Sequence, residues 1–172
     1  MVTFRPLKTE DLPLLAGWLA RPHWREWWGD PETELGYIRD MIEGRDTTQP
    51  FIFQIDGADL GYTQVWYIKD QLATDWVKDY PWLRLLPEEA VGVDLSLADP
   101  HQLSRGIGSE VLRAFVRKLR SEGHHRILID PDPANQRAVK AYRKAGFQEM
   151  SELLGRTDDS LLMEHVNTEG VS

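Results

Sequence analysis

Three consecutive runs decide the fold: VGVDLSL (Val91–Leu97), HQLSRGIGSEVLRAFVRKL (His101–Leu119) and RILIDPDPANQRAVKAYRKAGF (Arg126–Phe147). The first is an apolar-rich strand that ends in a glycine-bearing turn, Arg105-Gly106-Ile107-Gly108, and an amphipathic helix follows at once. The third is a second strand leading into a short helix that carries Asn135 and Tyr142. A helix N-terminus exposes unpaired N–H groups and the positive end of the macrodipole, so it attracts pyrophosphate. Glycines in the turn let the backbone come close to those oxygens. The order therefore predicts a grip on an extended, phosphate-bearing cofactor, with Ser104, Arg105, Gly106, Ile107, Gly108 and Ser109 presenting backbone N–H groups. Arg105 would add a charge-assisted contact.

Outward from that core, Thr3–Leu7 reads as a first strand. Thr9 reads as the N-cap of a helix through about Ala20, with Leu12, Leu15, Ala16 and Leu19 at helical spacing. Pro22 is expected just beyond the helix stop, and His23–Trp28 reads as a tryptophan-rich connection. Pro31 opens a second helix with Leu35, Ile38, Met41 and Ile42 on one face. Phe51–Ile55 and Leu60–Ile68 are predicted strands joined by a hairpin turn at Asp56-Gly57. Lys69–Glu89, polar and aromatic with Pro81 and Pro87, reads as a functional flap. Ile107–Arg120 is a predicted helix closed by Gly123, with Ile107, Val111, Leu112, Phe115, Val116 and Leu119 as its apolar stripe. Ile127–Asp130 reads as a buried parallel strand and Ala134–Ala145 as a helix stopped by Gly146. Phe147–Leu154 and Ser160–Val166 would be closing strands. This order predicts an α/β fold with one mixed sheet and helices on both faces. It suits a single domain over residues 1–166, with a flexible tail at 167–172.

The chain has 172 residues, 41% hydrophobic and 28% charged, within the range of one ordinary globular domain. It has no cysteine, which excludes a disulfide framework, a thiolate zinc site and a thiol nucleophile, and suits a cytoplasmic setting. A formal charge of −8 argues against a nucleic-acid partner, which needs clustered cations, and fits attraction of a small cationic substrate. No run approaches the ~20 apolar residues of a membrane span. His124-His125 lacks further ligands at metal spacing, so no metal is expected. Monomer and homodimer both remain open.

The motifs Glu26-Trp27-Trp28-Gly29, Gly61-Tyr62-Thr63-Gln64, Gly92-Val93-Asp94-Leu95-Ser96-Leu97-Ala98, Asp130-Pro131-Asp132-Pro133-Ala134-Asn135 and Tyr142-Arg143-Lys144-Ala145-Gly146-Phe147 resemble the GNAT superfamily of acetyl-CoA-dependent N-acetyltransferases. Within it they are most similar to the aminoglycoside 6′-N-acetyltransferases. The usual family turn carries Gln or Arg where this chain has Leu103, with Gln102 one residue earlier. The resemblance implies that the strands Val91–Leu97 and Ile127–Asp130 splay apart and that the pantetheine arm lies in the gap. An extended amide-bearing arm can pair with the backbone groups such a gap leaves unmatched.

Acetyl transfer to an amine needs a neutral nucleophile, a polarised thioester carbonyl and a proton for the departing thiolate. Tyr142 follows Asn135 by seven residues, about two helical turns, so the two share a face. The resemblance puts that face beside pantetheine and sulfur, with Asn135 pairing to an amide and Tyr142 serving as leaving-group acid. It also assigns Asp94 and Asp130 to the cationic acceptor, with Asp94 as general base. Asp130, water and Asp94 all remain candidates for the base on the residues themselves. Trp28 and Tyr37 would line the acceptor cleft, since flat faces suit sugar rings and tryptophan attracts ammonium groups. Trp27 reads equally as lining or as core, and Asp75 and Asp79 as acceptor contacts or solvated loop. The function implied is acetylation of an aminoglycoside 6′-amino group. The alternatives are acylation of a siderophore precursor or other metabolite amine, and a non-catalytic acetyl-CoA-binding module.

Overall fold

The computed structural model describes residues 1–167. In chain order its strands are β1 (Val2–Pro6), β2 (Gln49–Ile55), β3 (Ala58–Tyr67), β4 (Val91–Leu97), β5 (Ile127–Ile129), β6 (Phe147–Glu149) and β7 (Met163–His165). Its helices are α1 (Leu12–Leu19), α2 (Pro22–Trp28), α3 (Pro31–Ile42), α4 (Ile68–Gln71), α5 (Trp76–Asp79), α6 (Ile107–Ser121) and α7 (Gln136–Lys144). The strands form one mixed sheet in the order β1-β2-β3-β4-β5-β7-β6, in agreement with the expected α/β class. Residues divide into two units, Met1–Val65 with Leu95–Leu103, and Trp66–Asp94 with the chain from Ser104 onward. Of the expected tail at 167–172, all but Asn167 lies outside the described residues.

In the first unit, β2 and β3 meet as the expected hairpin. Asp56 and Gly57 have φ of 50° and 84°, both left-handed, which matches the twist of the flanking strands. The start of α1 differs from expectation. Thr9 does not cap it but lies in a 3-10 turn, Thr9–Asp11. Asp11 instead accepts the Lys8 backbone N–H at 2.9 Å and pairs with Arg5 at 2.9 Å. That ion pair, to which Asp59 adds a second carboxylate 2.9 Å from Arg5, fixes the entry to the helix.

His23–Trp28 is also not a connection. Pro22 occupies the first position of α2, where a missing N–H costs nothing and the ring's fixed φ is already helical. The helix seats Trp24, fully buried, in a cluster with Leu15, Trp18, Leu19, Ile38, Ile52 and Tyr62. Its indole N–H donates to the Leu97 carbonyl at 2.9 Å, so this buried polar atom is satisfied. The α3 helix opens at Pro31 as expected, and the structure adds its cap: the Asp30 carboxylate accepts the Thr33 N–H at 2.9 Å.

In the second unit, α6 buries Val111, Leu112, Phe115, Val116 and Leu119 along one stripe, while Ile107 is half-buried. All three residues of β5 are buried, as a strand covered on both faces requires. Residues 69–89 are a correction to the expected flap. Ile68, Val77, Trp82, Leu83 and Leu86 pack with Leu128, Met150, Leu153 and Leu162 into a second core. Burying each such aliphatic side chain contributes about 1.5–3 kcal/mol, so this segment is held as a lobe. The closing strands are shorter than their hydrophobic runs because Met150 and Leu153 turn into that lobe; Ser151–Leu153 is a 3-10 turn. The β4–β5 ladder holds only the parallel pairs Val91↔Ile127 and Gly92↔Leu128, although β4 continues to Leu97. The two strands part after one turn of pleat, as the resemblance implied.

Candidate active site

The glycine turn before α6 is shaped for an anion. Ser104 and Gly106 have φ of 62° and 79°, and Gly106 stands as the N-cap in the left-handed region. That conformation is easy for glycine and strained for residues with a β-carbon. No side chain caps the helix, so its first-turn N–H groups point outward from a fifteen-residue dipole. Ser109 is buried and spends its hydroxyl on the Gly106 carbonyl at 3.1 Å, leaving its backbone N–H to that first turn. Gly108 and Ile107 are half-buried, and Ser104 and Arg105 are exposed. Lys144, at the end of α7, brings its ammonium to 3.5 Å from the position a Gly106 β-carbon would take. Turn, dipole and ammonium together fit a pyrophosphate.

The carboxylates and the phenol lie in the same unit. Asp94 is on β4 after the last β5 pair, and Asp130 follows β5 directly. Burial, and secondarily the charge of Asp94, hold the Asp130 carboxyl well above the usual carboxylate range. Tyr142, on α7, is pushed above the ordinary phenol value by burial and then by the charges of Asp94 and Asp130. The three groups therefore feel one another electrostatically. Asn135 caps α7: its side-chain oxygen accepts the Ala138 N–H at 3.3 Å. That cap fixes the start of the helix on which Tyr142 rides, and it leaves the amide NH₂ as the donor end.

Trp28 and Tyr37 belong to the first unit. Trp28 is half-buried, stacked on Trp24 at 5.7 Å between ring centroids and edge-on to Tyr62 at 5.8 Å. Tyr37 is half-buried on α3, whereas Trp27 is 40% exposed. Asp75 pairs with Lys78 at 2.8 Å on the surface. The His124 ring packs against Tyr67 at 5.8 Å, and among the described residues no group of three His, Cys, Asp or Glu could hold a metal ion. Among the described residues, no helix is long and apolar enough to cross a membrane.

Two contacts escape sequence reasoning. Lys144 at the glycine turn is one. The other is Trp66, whose indole N–H donates to Asp94 Oδ2 at 3.1 Å. Neither has a local signal, since each partner is distant along the chain; the only trace is Gly92, a glycine inside a strand, which marks close approach of another group.

A family model described as an acetyltransferase (GNAT) domain matches residues 8–153. The chain is 32% identical over 154 residues to an aminoglycoside N(6′)-acetyltransferase type 1 of Klebsiella pneumoniae, covering 86% of this chain and 74% of that protein. Its fold matches AAC(6′)-Ib in complex with paromomycin and acetyl-CoA at a TM-score of 0.82, with 28% identity and 99% of each chain covered. A second structure of the aminoglycoside acetyltransferase AAC(6′)-Ib, with coenzyme A and kanamycin, matches at 0.78 with 29% identity, covering 97% of this chain and 95% of that one.

Proposed function

The chain belongs to the GNAT acetyltransferase family, and from that premise we propose that it moves the acetyl group of acetyl-CoA directly onto the 6′-amino group of an aminoglycoside. The observation that carries the reading is the grouping of Asp94, Asp130 and Tyr142 beside the opened end of the β4–β5 ladder. Two carboxylates attract an ammonium group, and one of them, Asp94, takes its proton. The neutral nitrogen then attacks the thioester carbonyl carbon, the C–S bond breaks, the thiolate collects a proton from Tyr142, and the proton shed by the new amide nitrogen restores the phenol. Burial keeps the phenol protonated, as an acid must be before its step. A bound cation offsets the two negative charges that raise its pKa, and so makes the phenol a better donor when the acceptor is present.

The turn from Ser104 to Ser109 holds the pyrophosphate with Lys144 beside it, and Asn135 meets the pantetheine arm. With no cysteine to carry an acyl group, transfer passes through a ternary complex. Trp28 and Tyr37 offer flat faces to sugar rings. The reading takes residues 1–166 as one catalytic domain, acting in the cytoplasm where the thioester donor is available.

The test is a panel of kanamycin-type acceptors with and without a 6′-amino group, scored by CoA release and by product mass. Acetylation confined to 6′-amino compounds is the expected result. Donor turnover with none of them, but with another amine, would leave the family intact and remove the aminoglycoside.

A further inference from the structure

We propose that Trp66 is the positioning residue for Asp94: its indole N–H fixes the carboxylate that faces the acceptor, and Gly92 exists to let it do so. The inference rests on the role just given to Asp94.

Gly92 and Asp94 are two residues apart on β4, so they face the same side of the strand. The Trp66 ring occupies that side. A β-carbon on residue 92 would sit 2.1 Å from the Trp66 Cε2 atom and 2.2 Å from its Cζ2, a separation that only displacement of the ring relieves. From above Gly92 the indole reaches along the strand to Asp94 Oδ2 at 3.1 Å. Its other flank packs against the core built by Ile68, Trp82, Leu83, Leu86 and Leu128. The residue 69–89 lobe is thus the wall behind this contact.

The chemistry suits the task. An indole N–H is a donor only and has no ionisation in the working range, so its bond to a carboxylate always favours the charged form. Asp94 needs such a bias, because Asp130 and Tyr142 face it and a second carboxylate nearby disfavours its ionisation. Trp66 biases the pair: of the two carboxylates, Asp94 is the one held ionised and ready for the acceptor's proton.

The experiment has two arms. In the first, the Trp66 indole N–H resonance, identified as the one lost in Trp66→Phe, is compared in the wild type and in Asp94→Asn. It is expected to move; an unmoved resonance overturns the proposal whatever Asp94 does in catalysis. The second arm is kinetic. Trp66→Phe should lower kcat about tenfold, equivalent to ~1.4 kcal/mol, and move the acid limb of the kcat/KM profile to higher pH. Added to Asp94→Asn it should cost nothing more, because the two side chains act as one unit. Fully additive losses with an unmoved acid limb would mean that Trp66 merely fills space. Gly92→Ala, which leaves the indole in the protein but pushes it aside, should reproduce the Trp66→Phe profile. If Asp94→Asn retains wild-type turnover while the resonance moves, the contact stands and the base assignment falls.

Discussion

The N-termini of α3 and α6 are built on opposite plans. At α3 the chain closes its own helix: the Asp30 carboxylate accepts both the backbone N–H and the hydroxyl of Thr33, and Pro31 removes one donor more. At α6 the cap is Gly106, with no side-chain acceptor, and Lys144 adds a cation where a structural cap would add an anion. A helix start that serves only stability is neutralised from within. One that awaits a ligand keeps its donors and its field. On the proposed reading the asymmetry extends across the second unit, with Asp94 and Asp130 toward the thioester end and α6 toward the phosphates.

The largest expected effect tests the negative end. Tyr142→Phe should lower kcat by tenfold or more, at least ~1.4 kcal/mol in the barrier, with little change in acetyl-CoA affinity. Single-turnover measurement of CoA release decides it, and wild-type rates would assign the proton to water.

Gly106→Val tests the positive end. A β-branched residue is strained at φ of 79° and stands over the outward N–H groups. Acetyl-CoA affinity by calorimetry should fall roughly tenfold, again ~1.4 kcal/mol. The comparison sharpens if Asp30→Ala, made in the same background, lowers the Tm and leaves that affinity alone.

The smallest effect concerns stability. The folded-state pKa of Asp130 lies above its unfolded value. Between the ordinary carboxylate pKa and the raised one, the folded chain binds more protons than the unfolded chain, so stability falls as pH rises through that window. Asp130→Asn removes this dependence and should raise the neutral-pH Tm by about a few degrees, while the wild type gains on the variant as pH drops toward 4. Parallel Tm curves for the two proteins would show that Asp130 ionises normally.

How much of this was legible in the sequence follows the distance over which each feature is determined. The hairpin at Asp56-Gly57, the stripe of α6 and the start of α3 at Pro31 rest on neighbours within one or two turns, and all three are readable. Pro22 does follow the end of α1, but proline both follows helices and opens them, and the six residues His23–Trp28 with three tryptophans show no clean polar face, so α2 reads as a connection. The 69–89 segment resisted for the same reason: its Trp82, Leu83 and Leu86 are interleaved with charges, and only contact with Leu128 and Leu162 makes them core. Within the candidate site, the glycine turn is legible from its spacing and Tyr142 from the family resemblance. The Trp66–Asp94 bond and the approach of Lys144 to Gly106 arise from tertiary packing, which spacing does not encode.

The two-pair ladder between β4 and β5 has a physiological corollary. A sheet joined so briefly at its middle draws cohesion from whatever strand-like molecule lies along the parted edges, and on the proposed reading that molecule is the acetyl donor. Ligand linkage then adds RT ln(1 + [L]/Kd) to the folding free energy, ~2.7 kcal/mol when the donor stands at a hundred times its Kd. On that reading the donor-loaded chain opens less often at this edge than the empty one and outlasts it in limited proteolysis.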